Sequence, residues 1–91
     1  MYLLVVYDIT DDKRRRKCEK VLSSYGSRVN YSVFELEIKQ KDLKKIRELL
    51  EEYSSKEEDH IRFYILNREV LIKSFVLHRN RRVFEDEELY F

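Results

Sequence analysis

Residues 2–7 read Tyr-Leu-Leu-Val-Val-Tyr, an unbroken apolar run that stops at Asp8. The run is short, β-branched and aromatic, which predicts a strand rather than a helix. Successive strand side chains point to opposite faces, so Leu3 and Val5 lie on one side and Leu4 and Val6 on the other. Both faces of such a strand need cover, and that requirement restricts what the rest of the chain can build.

The following elements supply part of the cover. Thr10, Asp11 and Asp12 offer N-cap chemistry for a helix running to about Tyr25, with Cys18, Val21, Leu22 and Tyr25 at i, i+3, i+4, i+7 as its buried stripe. Gly26, the single glycine, is expected to stop that helix in the left-handed conformation. From Arg28 to Ile38 the chain is extended, because Phe34, Leu36 and Ile38 alternate with Val33, Glu35 and Glu37. Asn30-Tyr31-Ser32 leaves open whether this stretch is a hairpin or one bulged strand. Lys41 to Tyr53 predicts a second amphipathic helix with Leu43, Ile46, Leu49, Leu50 and Tyr53 on one stripe. A polar loop over 54–59, a strand over Ile61 to Leu66, a further strand over Val70 to Leu77 and a charged tail complete the chain.

This order predicts an α+β fold, a ferredoxin-like βαββαβ sheet over residues 1–78 with an extra C-terminal strand, followed by the tail 79–91. Both helices then lie on one face of the sheet. A second copy of the chain is the simplest cover for the other, which gives a homodimer with stacked sheets. The tail ends in Leu89-Tyr90-Phe91 behind Glu85-Asp86-Glu87-Glu88, and three large apolar residues there suggest docking on a partner or on its own domain.

At 91 residues the chain is one domain. Cys18 is the only cysteine, so an internal disulfide is excluded, and its place on the helical stripe makes it buried filler. The apolar run at Tyr2 to Tyr7 lacks a basic flank, and no stretch approaches the ~20 apolar residues that span a bilayer, so a cytoplasmic protein with no membrane contact is expected. The formal net charge of +1 makes no case for nucleic acid, but its distribution does. Lys13-Arg14-Arg15-Arg16-Lys17 is a run of five cations, and Arg79, Arg81 and Arg82 form a second cluster.

Aligning the first helix on its stripe puts Arg14 on the buried side, Arg15 at its edge, and Lys13 and Arg16 outward. Arg14 is thus the candidate structural partner of a carboxylate, while Lys13, Arg15 and Arg16 are either phosphate contacts or a solvated face. Asp8 closes the strand beside this helix. It can hold a hard cation such as Mg²⁺, accept backbone hydrogen bonds, or pair with Arg14. One carboxylate is a poor metal site, whereas two Asp8 side chains across a two-fold axis would make a plausible one. Asp11 and Asp12 are capping residues; Tyr7, Tyr31 and Phe34 stack on bases or fill the core. His60, His78 and one cysteine give no zinc site or Cys/His nucleophile, there is no glycine-rich phosphate loop, and with no histidine expected near Asp8, magnesium suits it better than zinc.

Three stretches together, Val6-Tyr7-Asp8-Ile9-Thr10-Asp11-Asp12-Lys13-Arg14-Arg15-Arg16, Tyr25-Gly26-Ser27-Arg28-Val29 and Tyr31-Ser32-Val33-Phe34-Glu35, strongly resemble the CRISPR-associated Cas2 family, the smaller of the two core spacer-acquisition proteins. The resemblance implies a ferredoxin-like homodimer and a Mg²⁺-dependent endonuclease acting on RNA or DNA, with Mn²⁺ as a possible substitute. The family's strand-end aspartate falls on Asp8, catalytic and metal-binding in both subunits, and its basic and polar site positions fall on Arg15, Arg28, Ser32 and Phe34. Asn30 departs from the longer glutamine of the family pattern. The same resemblance implies an alternative, a non-catalytic dimer that binds duplex DNA and bridges copies of the larger CRISPR integrase protein.

Overall fold

The computed structural model describes residues 1–78 and 82–85. The elements are β1 Tyr2–Asp8, α1 Asp12–Ser23, β2 Gly26–Asn30, β3 Val33–Glu37, α2 Gln40–Tyr53, β4 His60–Leu66 and α3 Arg68–Ile72, with a 3-10 turn at Val83–Glu85. The four strands form one antiparallel sheet in the order β2-β3-β1-β4, so the two-sided apolar strand is internal. This is the ferredoxin-like arrangement that the order of elements predicts.

Asp11 caps α1, its carboxylate accepting the Arg14 backbone N–H at 2.9 Å. That bond holds the Asp11 carboxyl below the usual range. Both long helices pack on the β1 face that carries Leu3, Val5 and Tyr7. There Cys18 and Leu22 of α1 and Ile46 and Leu50 of α2 meet Phe34 and Leu36 of β3 in one buried cluster. Burial pushes the Cys18 thiol up to about 11, which keeps it an unreactive filler at neutral pH.

Two expectations are overturned. The helix does not end on a left-handed glycine: it closes at Ser24, and Gly26 opens β2 without a positive φ. The glycine is needed for close approach, since a Cβ there would press on the Glu35 carbonyl oxygen and the Leu36 side chain. Val70 to Leu77 is not a strand either. Asn67 accepts the Val70 N–H at 2.9 Å and caps the short helix Arg68–Ile72, after which residues 73–78 take no regular structure. A brief run such as Val70-Leu71-Ile72 fits a helical turn as well as a strand, and here the cap decides. Leu71 alone of the three is buried. Among the described residues there is no fifth strand.

The open question at residues 28–38 resolves as a hairpin. β2 and β3 pair antiparallel across a turn at Tyr31 and Ser32, with an irregularity in register between Arg28 and Asn30.

The second face of the sheet carries Tyr2, Leu4 and Val6 of β1, Val33, Glu35 and Glu37 of β3, and Arg62 and Tyr64 of β4. Leu4 and Val6 remain half-exposed. Part of the chain's own tail reaches this face: the Phe84 N–H donates to Glu35 Oε1 at 2.9 Å, and its ring packs edge-on against Tyr2 at 5.5 Å. The expected docking residues Leu89-Tyr90-Phe91, and Arg79 and Arg81 of the second basic cluster, lie outside the described residues. No helix among the described residues is long and apolar enough to cross a membrane.

Candidate metal and nucleic-acid site

Asp8 is the last residue of β1, on the same face as Leu4 and Val6, because three strand residues of alternating direction precede it from Val5. It is exposed, and among the described residues its carboxylate makes no side-chain hydrogen bond or ion pair. Pairing with Arg14 is excluded by where Arg14 goes. Its Nε donates to Asp59 Oδ2 at 2.9 Å and one terminal nitrogen donates to Glu58 Oε2 at 2.8 Å. Asp59 is 1 % exposed at its side chain and also accepts the Ser55 N–H at 2.7 Å. The Arg14 bonds hold the Asp59 carboxyl below the usual range, and the same bonds raise Arg14. Arg14 is therefore a structural partner, as expected, tying α1 to the loop before β4.

The five-cation run divides on inspection. Arg15 donates to the Ile9 carbonyl at 3.2 Å and pairs with Asp12 at 2.5 Å, so its guanidinium is held by its own chain. Lys17 sits 5.6 Å from the centre of the Tyr53 ring. Lys13 and Arg16 point outward into solvent, and neither makes a side-chain ion pair among the described residues. They are the cations most available to a phosphate.

Arg28 and Phe34 belong to a different grouping, at the covered side of the sheet. The Arg28 guanidinium pairs with Glu19 at 2.5 Å and lies 5.6 Å over the Phe34 ring. Glu19 also lies 2.5 Å from the Tyr7 hydroxyl, which stands 3.0 Å from the Tyr31 carbonyl oxygen and shares one proton between the two acceptors. Burial and the neighbouring Glu19 carboxylate raise the Tyr7 phenol, so it stays a donor. Phe34 is 1 % exposed. Its ring is thus unavailable for stacking on a base, and its contribution is to seat Arg28. Tyr31, in contrast, is 88 % exposed at the hairpin turn. Ser32 is half-buried beside it and its carbonyl accepts the Tyr7 N–H at 3.0 Å.

Two residues have neighbours that the sequence does not mark. Glu19 organises Tyr7 and Arg28, but nothing local marks it; only the packing of α1 beside β2 brings the three together. His60 stands directly opposite Asp8 across β1 and β4, against the expectation that no histidine is near. The sequence signal was the antiparallel pairing of the two strand ends, legible only once the register was known. The donors suit a hard, hydrated cation, since Asp8 offers an uncommitted carboxylate. One chain does not enclose an ion, however: among the described residues no group of three or more His, Cys, Asp or Glu side chains could hold a metal. Asp8 by itself offers an ion a single carboxylate.

Comparison with known proteins bears on this geometry. The family model described as CRISPR associated protein Cas2 matches residues 1–73. A relative from Synechocystis, CRISPR-associated endoribonuclease Cas2 3, is 42% identical over 72 residues, covering 78% of this chain and 78% of its own. The Thermus thermophilus CRISPR-associated endoribonuclease Cas2 is 33% identical over 89 residues, covering 97% of this chain and 95% of its own. Among solved structures, Streptococcus pyogenes Cas2 at pH 6.5 superposes with a TM-score of 0.76 at 32% identity, covering 85% of this chain and 99% of that one. A chain of a partial Cas6-RT-Cas1–Cas2 complex superposes with a TM-score of 0.65 at 34% identity, covering 84% of this chain and 89% of that one.

Proposed function

Because the chain belongs to the CRISPR-associated Cas2 family, we propose that it acts in CRISPR adaptation as a homodimer that cleaves RNA or DNA phosphodiester bonds with Mg²⁺ or Mn²⁺ held between two Asp8 carboxylates. The observation that carries this is the state of Asp8: exposed, uncommitted, and at the rim of a sheet face whose Leu4 and Val6 are only half-covered. A second sheet stacked on that face would bury Leu4 and Val6 and bring the partner's copy of the same carboxylate toward the first. Two carboxylates close together repel, and a divalent cation relieves the repulsion. When bound, such a cation polarises a phosphoryl oxygen and makes a coordinated water more acidic.

The chain's own residues contribute position. Lys13 and Arg16 are placed to hold flanking phosphates through charge alone. Arg28, seated on Phe34 and steered by Glu19, reaches solvent and offers a directed guanidinium. Tyr31 presents an exposed ring at the hairpin tip, where a base in single-stranded nucleic acid could stack. The relatives named endoribonucleases favour RNA as one substrate.

A second function rests on its own observation, the similarity to a Cas2 chain within a Cas1–Cas2 complex. Here the dimer carries no chemistry, holds duplex DNA and bridges the larger CRISPR integrase subunits. Asp8→Asn separates the two, since it removes one charge per chain and preserves shape. In rigorously purified protein it should abolish metal-dependent cleavage while leaving dimer and duplex binding intact. Equal cleavage by variant and wild type in Mg²⁺ or Mn²⁺ removes Asp8 from catalysis. If neither protein cuts while both assemble with the integrase, the bridging function holds instead.

A further inference from the structure

The pairing of Asp8 with His60 goes beyond an aspartate-only site. Asp8 is the last residue of β1 and His60 the first of β4, and they are direct partners in the antiparallel ladder. Direct partners project to the same face with Cβ atoms about 4.5–5.5 Å apart. A carboxylate and an imidazole on such a pair can reach one ion between them. Both residues are exposed, and neither makes a side-chain hydrogen bond or ion pair among the described residues. Cations that would compete for the carboxylate are turned elsewhere: Arg14 is bound to Asp59 and Glu58, and Arg15 to Asp12 and the Ile9 carbonyl. Arg62, two residues along β4 on the same face, lies 3.5 Å from the Tyr64 hydroxyl, on the side away from His60.

We propose that His60 is a second metal ligand beside Asp8, so that each chain brings one oxygen and one nitrogen donor to a divalent cation. This rests on the metal-binding role of Asp8 proposed above and adds a preference to it. Magnesium takes oxygen ligands and water and sheds its waters reluctantly, and imidazole suits the later first-row metals best. Manganese, although it too favours oxygen, accepts an imidazole nitrogen more readily than magnesium does. An oxygen-only site made by two Asp8 side chains would discriminate weakly between Mg²⁺ and Mn²⁺. With His60 as a ligand, Mn²⁺ is the better occupant, and the site sits at the chain's surface where solvent fills the remaining positions.

The test uses untagged full-length protein and Mn²⁺ as the probe. Pulsed electron paramagnetic resonance of bound Mn²⁺ reports a directly coordinated nitrogen through its hyperfine coupling. Wild type should show that coupling, His60→Gln should lose it, and His78→Gln, which alters the other histidine, should keep it. Loss of the imidazole should weaken Mn²⁺ binding about 10-fold or more while leaving Mg²⁺ binding nearly unchanged. His60 is exposed, so unfolding is not expected, and an unchanged circular dichroism melt of His60→Gln establishes this. Bound Mn²⁺ without nitrogen coupling, or wild-type Mn²⁺ affinity in His60→Gln, overturns the role of His60 even if Asp8→Asn abolishes binding. Failure of wild type to bind Mn²⁺ at all overturns the Asp8 metal site together with it.

Discussion

On the helix-covered face of the sheet, Leu3, Val5, Phe34 and Leu36 are sealed from water by Leu22, Ile46 and Leu50. On the opposite face Leu4 and Val6 stay half-exposed, flanked by strands that carry Glu35, Glu37, Arg62 and Tyr64. β1 supplies Leu3 and Val5 to the first face and Leu4 and Val6 to the second, one residue apart. The first face completes a core within the chain. The second retains apolar surface flanked by charge, which a stacked copy could bury, and Asp8 and His60 stand at its rim. Folding and the proposed metal chemistry therefore depend on opposite sides of β1, and substitutions at neighbouring residues should separate them.

The largest effect is expected from Val5→Lys set beside Val6→Lys. Val5 is fully buried under the helices, and an unpaired ammonium there should cost more than about 4 kcal/mol and prevent folding. Val6→Lys places the charge on the open face, where the side chain can reach water. Its circular dichroism should stay near wild type, while sedimentation should show a monomer in place of the dimer proposed for wild type. If Val6→Lys remains a dimer, the open face is not where two copies meet. If both variants unfold, the two faces contribute alike to the monomer.

The anchor between α1 and the loop before β4 should show in acid. Asp59 has a carboxyl held low by Arg14, by its backbone donors and against the cost of burial. A depressed folded-state pKa means the unfolded chain binds its proton first as pH falls. The stabilisation is thus fully present above the ordinary carboxylate pKa and is lost as pH drops through the folded value. Asp59→Asn should lower stability at pH 7 by about 1–2 kcal/mol and flatten the fall in melting temperature below the ordinary carboxylate range. An unchanged acid limb in the variant would show that Asp59 does not govern it.

Much of this was legible in the chain itself, for reasons that differ by residue. The run at Tyr2 to Tyr7 predicts an internal strand because it is short, β-branched and aromatic, and apolar on both faces. Helical spacing likewise separates Arg14 from Lys13 and Arg16. What escaped depends on contacts between distant segments. Glu19 acquires its role only when α1 lies beside β2, and Phe34, left open between stacking on a base and filling the core, becomes a buried seat for Arg28 once the hairpin folds. Gly26 was read for its backbone freedom, whereas the constraint is the backbone of β3 passing against it. His60 lies 52 residues from Asp8 in sequence and becomes its neighbour through register alone.

The smallest effects lie within the basic run, where the structure divides residues that look equivalent in sequence. Lys13 and Arg16 make no side-chain ion pair among the described residues, whereas Arg15 is already bound to Asp12 and Ile9. A cation that releases a counterion from nucleic acid contributes roughly 0.7 to the log–log salt slope on single strands and roughly 0.9 on duplex. Lys13→Ala and Arg16→Ala should each reduce the slope by about that amount. Arg15→Ala should change it less, because its guanidinium must first leave a carboxylate of its own chain before meeting a phosphate. Fluorescence anisotropy with a labelled oligonucleotide between 50 and 200 mM salt, on the order of the range over which such slopes are read, measures all three. If Arg15→Ala produces the largest change, nucleic acid displaces Asp12, and the pairing with Asp12 describes only the unbound protein. If none of the three changes affinity or slope, the run is a solvated helix face and phosphate recognition lies with Arg28 and its seat on Phe34.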